Sequence, residues 1–176
     1  CGLCEQDYYG FVDCALGWAC WKTYLGRPEE DLARRSATSR IARGLAAVNH
    51  DEGALVVQEA ELAMERRLGA SERSMLDVQG NLAITYEVLG RVEEAMRVKR
   101  DVYSGRLKLN GEEHERTLLA ANNYASSLNG LQRFEEAKPL LRKLLPVARR
   151  VLGESSDTTL RMRWNYAQSL YQDDRA

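Results

Sequence analysis

The sequence holds only three prolines and 13 glycines, too few for a collagenous, linker-like or disordered chain. It has almost no net charge. Twenty-five lysines and arginines face 26 acids, a formal −1, which gives no global attraction to nucleic acid or an anionic membrane. No apolar run approaches the roughly 18–20 residues needed to cross a bilayer. Cysteine is missing from the 156 residues after Cys20, whereas a secreted disulfide scaffold would spread its bridges through the fold. The expected compartment is therefore reducing and intracellular, most simply the cytoplasm. Of the four cysteines, Cys14 and Cys20 are six residues apart in an expected helix, too far for a disulfide, and read as small core residues.

Catalytic groups are equally scarce. The two histidines, His50 and His114, fall between helical stretches with neither an H-E-x-x-H motif nor a nearby nucleophile, so both are expected as exposed turn residues. Acid pairs such as Glu112-Glu113 and Glu135-Glu136 belong to helix starts. Arg66-Arg67 and Arg149-Arg150 are interleaved with acids, as on solvated faces. No glycine-rich phosphate loop is present. The expectation is a chain without catalysis. What remains is a 44% hydrophobic, 29% charged sequence of 176 residues, enough for one domain or a short repeat array. It opens on Cys1, with no Met and no signal-peptide layout, and is expected to be part of a longer chain.

The organising feature is a period of 42 residues. Gly69, Gly111 and Gly153 keep it, as do Leu76, Leu118 and Leu160, Asn81, Asn123 and Asn165, and Ala83, Ala125 and Ala167. Arg91-Val92-Glu93-Glu94-Ala95 is matched by Arg133-Phe134-Glu135-Glu136-Ala137. Each period reads as two helices. Met75, Val78, Leu82, Tyr86 and Leu89 mark the apolar face of a first helix over about 74–89. Gly90 ends it, and paired acids then start a second helix over about 93–109. The same pattern predicts helices over about 117–128, 135–152 and 158–171. Stepping 42 residues toward the N-terminus places Asp51-Glu52-Gly53-Ala54 opposite Glu93-Glu94-Ala95, a second helix over about 55–68, and a degraded first helix over about 32–48 with Ser39 in the asparagine column. A further helix over 11–24, ended by Gly26-Arg27-Pro28, is expected to cover the open end of the array with Trp18, Trp21 and Tyr24. Pro146, inside its helix, is expected to bend it, and Pro139 to be milder.

Asn-Leu-Ala-x-x-Tyr at 81–86, Leu-Gly-Arg-x-Glu-Glu-Ala at 89–95 and the terminal Leu-Gly pairs resemble the tetratricopeptide repeat. The period of 42 and the phrase Glu135-Glu136-Ala137-Lys138-Pro139-Leu140-Leu141-Arg142-Lys143-Leu144 are similar to its kinesin light chain variety. The resemblance covers residues 69–176 well and 27–68 loosely. It implies an all-α fold, a right-handed helix-pair solenoid or tetratricopeptide-like superhelix of about three and a half repeats with an N-terminal packing helix. The expected division is residues 1–26 as a cysteine-containing segment and cap, and 27–176 as the array, in units 27–68, 69–110, 111–152 and 153–176. Nothing resembles the coiled coil of a motor light chain.

In such an array the first helices line a concave groove, so the asparagine column becomes a ladder. An amide that both donates and accepts can hold the backbone of an extended peptide. The resemblance carries this role to Asn81, Asn123 and Asn165, with Asn122, Ser126, Arg161 and Gln168 as neighbours. The same asparagines could instead bridge adjacent helices. The expected function is a protein-interaction scaffold that binds a peptide or partner helix, with no nucleic-acid partner, no membrane insertion and no cofactor. Trp164, Tyr166 and Tyr171 are expected to lack a covering helix, implying more repeats or a cap after Ala176.

Cys1-Gly2-Leu3-Cys4, followed by polar and aromatic residues and a helix, resembles the closing ligand pair of a RING-CH-type zinc finger. This implies a zinc half-site at Cys1 and Cys4, completed by ligands upstream. The alternative function is then the substrate-binding arm of a ubiquitin ligase. A third reading is a subunit buried in a larger assembly.

Overall fold

The computed structural model describes residues 11–173. They form eight α-helices: α1 Phe11–Tyr24, α2 Leu32–Ala47, α3 Asp51–Arg67, α4 Glu72–Val88, α5 Val92–Asn110, α6 Glu115–Gly130, α7 Phe134–Leu152 and α8 Asp157–Asp173. No strand occurs among the described residues. The chain divides into two compact units, one holding α1–α4 up to Gly90 and one holding α5–α8 from Arg91.

The turns explain the glycine column. Gly111 and Gly153 cap α5 and α7 with φ of 81° and 89°, where a Cβ would be strained. Between first and second helices the left-handed position is taken by Asn49, Gly90 and Gln132. These three are spaced 41 and 42 residues, which corrects the register of the first repeat. Ala54, not Gly53, takes the fully buried slot of Ala95 and Ala137, and each of the three donates its N–H to the helix's cap residue, His50, Arg91 or Arg133. In α2 the same shift aligns Ala42 with the buried Ala83 and Ala125, and so puts Arg40, rather than Ser39, in the asparagine column. The α2–α3 turn comes one residue later than the 42-residue count gives, because Asn49 accepts the left-handed conformation that Gly90 takes in the next repeat.

In the first unit α1 packs on α2, α2 on α3 and α3 on α4. Cys14, Ile41, Leu45 and Ala54 form a buried cluster, with Trp21 and Val57 against it. Two mid-helix glycines bring α1 and α2 backbone to backbone. A Cβ at Gly44 would lie 2.6 Å from Cys14 Cα, and one at Gly17 3.0 Å from Ile41 Cα. Trp21 covers the cluster and meets Trp18 edge to face at 5.8 Å, but Trp18 itself is 42% exposed, so the cap rests on Trp21 and the glycine contact. Cys14 is a buried core thiol as expected and Cys20 is half-buried; both are free.

The second unit centres on leucine and alanine. Leu118, Leu128, Leu141, Leu144 and Met162 are fully buried among Ala121, Ala125, Ala137 and Ala148, with Tyr103 and Tyr124 stacked beside them. In α7 the spacing 137, 141, 144, 148 makes one apolar face. Pro139 and Pro146 lie on the exposed side, and α7 runs through both as one helix. A carbonyl freed there can turn to water, which makes proline tolerable. Thr117 and Thr159, both fully buried and 42 residues apart, donate their hydroxyls to the carbonyls of Arg106 and Ala148, joining each first helix to the second helix before it. Of the three aromatics expected to be uncovered on α8, Trp164 and Tyr171 are exposed, while Tyr166 packs against the apolar cluster.

Candidate functional site

The asparagine-column residues fall in different surroundings. Asn81 is exposed on α4 in the first unit. The other six predicted groove residues belong to α6 and α8 in the second. Asn123 is half-buried, and Ser126, one turn on, is exposed. Asn122 and Asn165 are buried and bonded to each other, Asn165 Nδ2 donating to Asn122 Oδ1 at 2.9 Å. Asn129 Nδ2 donates to the Asn165 carbonyl at 2.8 Å. Three buried amides and a backbone carbonyl are thus joined, tying α6 to α8 through neutral groups. Arg161 and Gln168 flank Asn165 at one-turn spacing on α8 and are exposed, Arg161 paired with Asp157 at 2.8 Å. Asn129 carried no sequence signal, since it lies outside the asparagine column.

Charge joins α2, α3 and α4 of the first unit where amides join α6 and α8 of the second. Glu65, buried on α3, accepts two bonds from Arg35 of α2, at 2.8 and 2.6 Å, and a third from Ser74 Oγ of α4 at 2.7 Å. One turn earlier, buried Glu61 accepts from Ser39. The two carboxyls shift in opposite directions. Burial raises Glu61 above the ordinary carboxylate value, assisted by the Glu65 charge and opposed by the Ser39 hydrogen bond, Arg35 and Arg43. Burial also pushes Glu65 upward, but its bonds from Arg35 and Ser74 and the Arg35 charge outweigh that, and its value falls below the ordinary one. The acids would have been found by noticing that positions 58, 61 and 65 of α3 continue its buried face.

Beside this cluster a cavity of about 480 Å³ opens between α1 and α2, lined by Cys20, Tyr24, Ser36, Ser39, Arg40 and Arg43 together with two alanines. In the second unit a cavity of about 400 Å³ lies between α7 and α8, lined by Glu135, Lys138, Pro139, Arg142, Tyr166 and Leu170. His50 and His114 are exposed cap residues of α3 and α6, His114 Nδ1 accepting from the Arg116 N–H. Among the described residues no three His, Cys, Asp or Glu side chains gather as a metal set, and no helix is long and apolar enough to cross a membrane. Cys1 and Cys4, the predicted zinc half-site, lie outside the described residues.

A tetratricopeptide repeat family model matches residues 116–176, and a second tetratricopeptide repeat model matches residues 75–116. Together they span more than half of the chain. No curated protein matches it. Among solved structures it is similar to a kinesin light chain candidate from Podosopora anserina with nearly identical TPR-like repeats, at 21% identity and a TM-score of 0.79, over 92% of this chain and 78% of that one. A point variant of that protein gives 21% identity and 0.78, over 92% and 77%. BtubC (BKLC) from P. vanneervenii gives 18% identity and 0.75, over 92% and 66%. At such identities the likeness is one of fold, the all-α helix-pair solenoid.

Proposed function

Since the chain belongs to the tetratricopeptide repeat proteins, a fold whose work is protein interaction, we propose that it is a non-enzymatic scaffold holding a peptide or partner helix against its first helices. The observation that carries this reading is the exposed polar surface of α6 and α8. Ser126 lies one turn from the half-buried Asn123 on α6, Arg161 and Gln168 lie one turn to either side of Asn165 on α8, and the buried Asn122–Asn165 pair ties the two helices together. A rigid support under adaptable donors and acceptors suits recognition of an extended backbone. Here the two roles of asparagine separate: Asn165 and Asn122 hold helices, and Asn123 and Asn81 are the ones left for a ligand.

The test is a peptide-array screen of the wild-type chain, followed by affinity measurement on the strongest peptides. Asn123→Ala should weaken them about fivefold or more, and Arg161→Ala and Gln168→Ala to a similar degree, while thermal unfolding stays near wild type. Unchanged affinity in all three variants would remove this surface from the proposal.

A further inference from the structure

The cavity between α1 and α2 has a chemistry of its own. It exists because α2 presents small residues, Ala33, Ser36 and Ala37, toward the last turns of α1, where Cys20 and Tyr24 form the other wall. On α2, positions 36, 40 and 43 follow helical spacing and bring Ser36, Arg40 and Arg43 to the same rim. The helix carries four arginines and no acid. Two of them are already held: Arg35 by Glu65, and Arg34 by the Arg27 carbonyl. Arg40 and Arg43 form no hydrogen bond or ion pair with the described residues. Arg40 is half-buried, so its charge is only partly solvated.

The surroundings leave that charge standing. Asp31, at the start of α2, is engaged by Arg27 and by the N–H groups of Ala33 and Arg34. Glu61 acts on Arg43 only at a distance, forming no ion pair with it, and its carboxyl is engaged by the Ser39 hydroxyl. The negative end of α1 and the positive end of α2 meet at this rim and offset each other, so the side chains decide the potential. The donors are two guanidinium groups and the hydroxyls of Ser36 and Tyr24, since the Ser39 hydroxyl is committed to Glu61. That is more than one carboxylate needs. A phosphoryl group, with three terminal oxygens and close to two negative charges, matches both the number of donors and the two cations.

We infer that the α1–α2 cavity is a phosphoryl-binding pocket, with Arg40 and Arg43 as its charge-pairing residues and Ser36 and Tyr24 as hydroxyl donors. It lies in the first unit and does not depend on the peptide surface of α6 and α8.

The experiment uses the full chain and three probes: O-phospho-L-serine, inorganic phosphate and L-glutamate. Calorimetry reads affinity, and mass-spectrometric mapping of iodoacetamide labelling at Cys20, which lines the pocket, reads location. The phosphoryl probes should bind with Kd of about 1 mM or tighter and slow Cys20 labelling, with glutamate at least about tenfold weaker. Tighter binding of phosphoserine assigns the pocket to a phosphorylated side chain, and tighter binding of inorganic phosphate to the free ion. Arg40→Gln and Arg43→Gln should each weaken binding about tenfold. Ser36→Asp, at an exposed position, should block it with both arginines intact and the helical spectrum unchanged. Absence of binding at about ten times the expected Kd overturns the inference, as does binding that survives the Arg40→Gln/Arg43→Gln double change or leaves Cys20 labelling unaltered.

Discussion

The two units solve one problem with different chemistry. Each must fix helices one against another, and each buries polar side chains to do so. The second unit buries mainly neutral groups: Asn122 with Asn165, Asn129 with a backbone carbonyl, Thr117 and Thr159 with carbonyls, beside a core of fully buried leucines; its buried cations are Lys99, which donates to Ser127, and Arg106, and it buries no acid among the described residues. The first also buries leucines, among them Leu55, Leu62, Leu76 and Leu82, and in addition joins α2, α3 and α4 through Glu61, Glu65 and Arg35, while α1 docks through glycine notches. Neutral hydrogen bonds desolvate at modest penalty and need no counter-charge, whereas buried ions must be fully paired. Packing should therefore hold both units, and the first should add a dependence on pH through its buried carboxyls Glu61 and Glu65.

The sharpest break in that contrast is Leu141→Ala. Leu141 is fully buried in the second cluster, and its loss should destabilise by about 3–4 kcal/mol, as large-to-small changes in well-packed cores do. Chemical denaturation followed by hydrogen exchange should show protection falling across α6–α8. An effect under about 1 kcal/mol would mean that packing there is loose.

Next in size is Gly44→Ala, which puts a Cβ 2.6 Å from the Cys14 backbone and must lift α1 away from α2. Overpacking of this kind costs about 2–3 kcal/mol. Trp21 fluorescence should report the displacement, because that ring lies against the cluster. Gly17→Ala, with 3.0 Å to give, should do the same more weakly.

A smaller effect sharpens the neutral side of the comparison. Asn165→Ala leaves the buried Asn122 amide oxygen without its donor, at about 1–2 kcal/mol. The cycle with Asn122→Ala should show a coupling of about 1 kcal/mol, and Asn81→Ala, at an exposed site, should be near neutral. Additive single changes would mean that the pair does not act as one bridge.

How much of this was legible follows from residue type. The 42-residue period exposed the helix pairs, because leucine, alanine and glycine at fixed offsets leave few alternatives to stacked helices. Most boundaries fall within two residues of expectation. The start of α3, placed near Leu55, lies at Asp51, and the acids there form its first turn. Counting by 42 also chose Ser39 over Arg40, since nothing in the letters shows that Asn49 turns the chain one residue late. The candidate site was half legible. Repetition picked out the asparagines but could not say which amides are buried, because an asparagine reads alike whether it faces a neighbouring helix or solvent. The acids of α3 were hidden for the same reason: glutamate at 61 and 65 reads as surface until Arg35 and Ser39 are seen opposite.

The smallest predicted effect isolates the charged side. The ordinary glutamate value is 4.5, and Glu61 and Glu65 depart from it in opposite directions. Because burial raises Glu61 in the folded chain, its contribution is fully present below that ordinary value and is lost as pH rises through the raised one. Because Arg35 and Ser74 lower Glu65 despite its burial, its contribution is present above the ordinary value and is lost as pH falls through the lowered one. Near neutral pH, then, Glu61 is the strained member of the pair. Glu61→Gln keeps an amide oxygen to accept from Ser39 and removes the ionisation, so it should stabilise the first unit by on the order of 1 kcal/mol at pH 7. The gain should vanish at about pH 4, where the wild-type carboxyl is already neutral. Glu65→Gln should go the other way at pH 7, because Arg35 loses its counter-charge. Urea unfolding of both variants at the two pH values decides the matter: a Glu61→Gln effect that is destabilising at pH 7, or equal at both, would show that Glu61 is held as an ion by Arg35 and Arg43 rather than neutralised by burial.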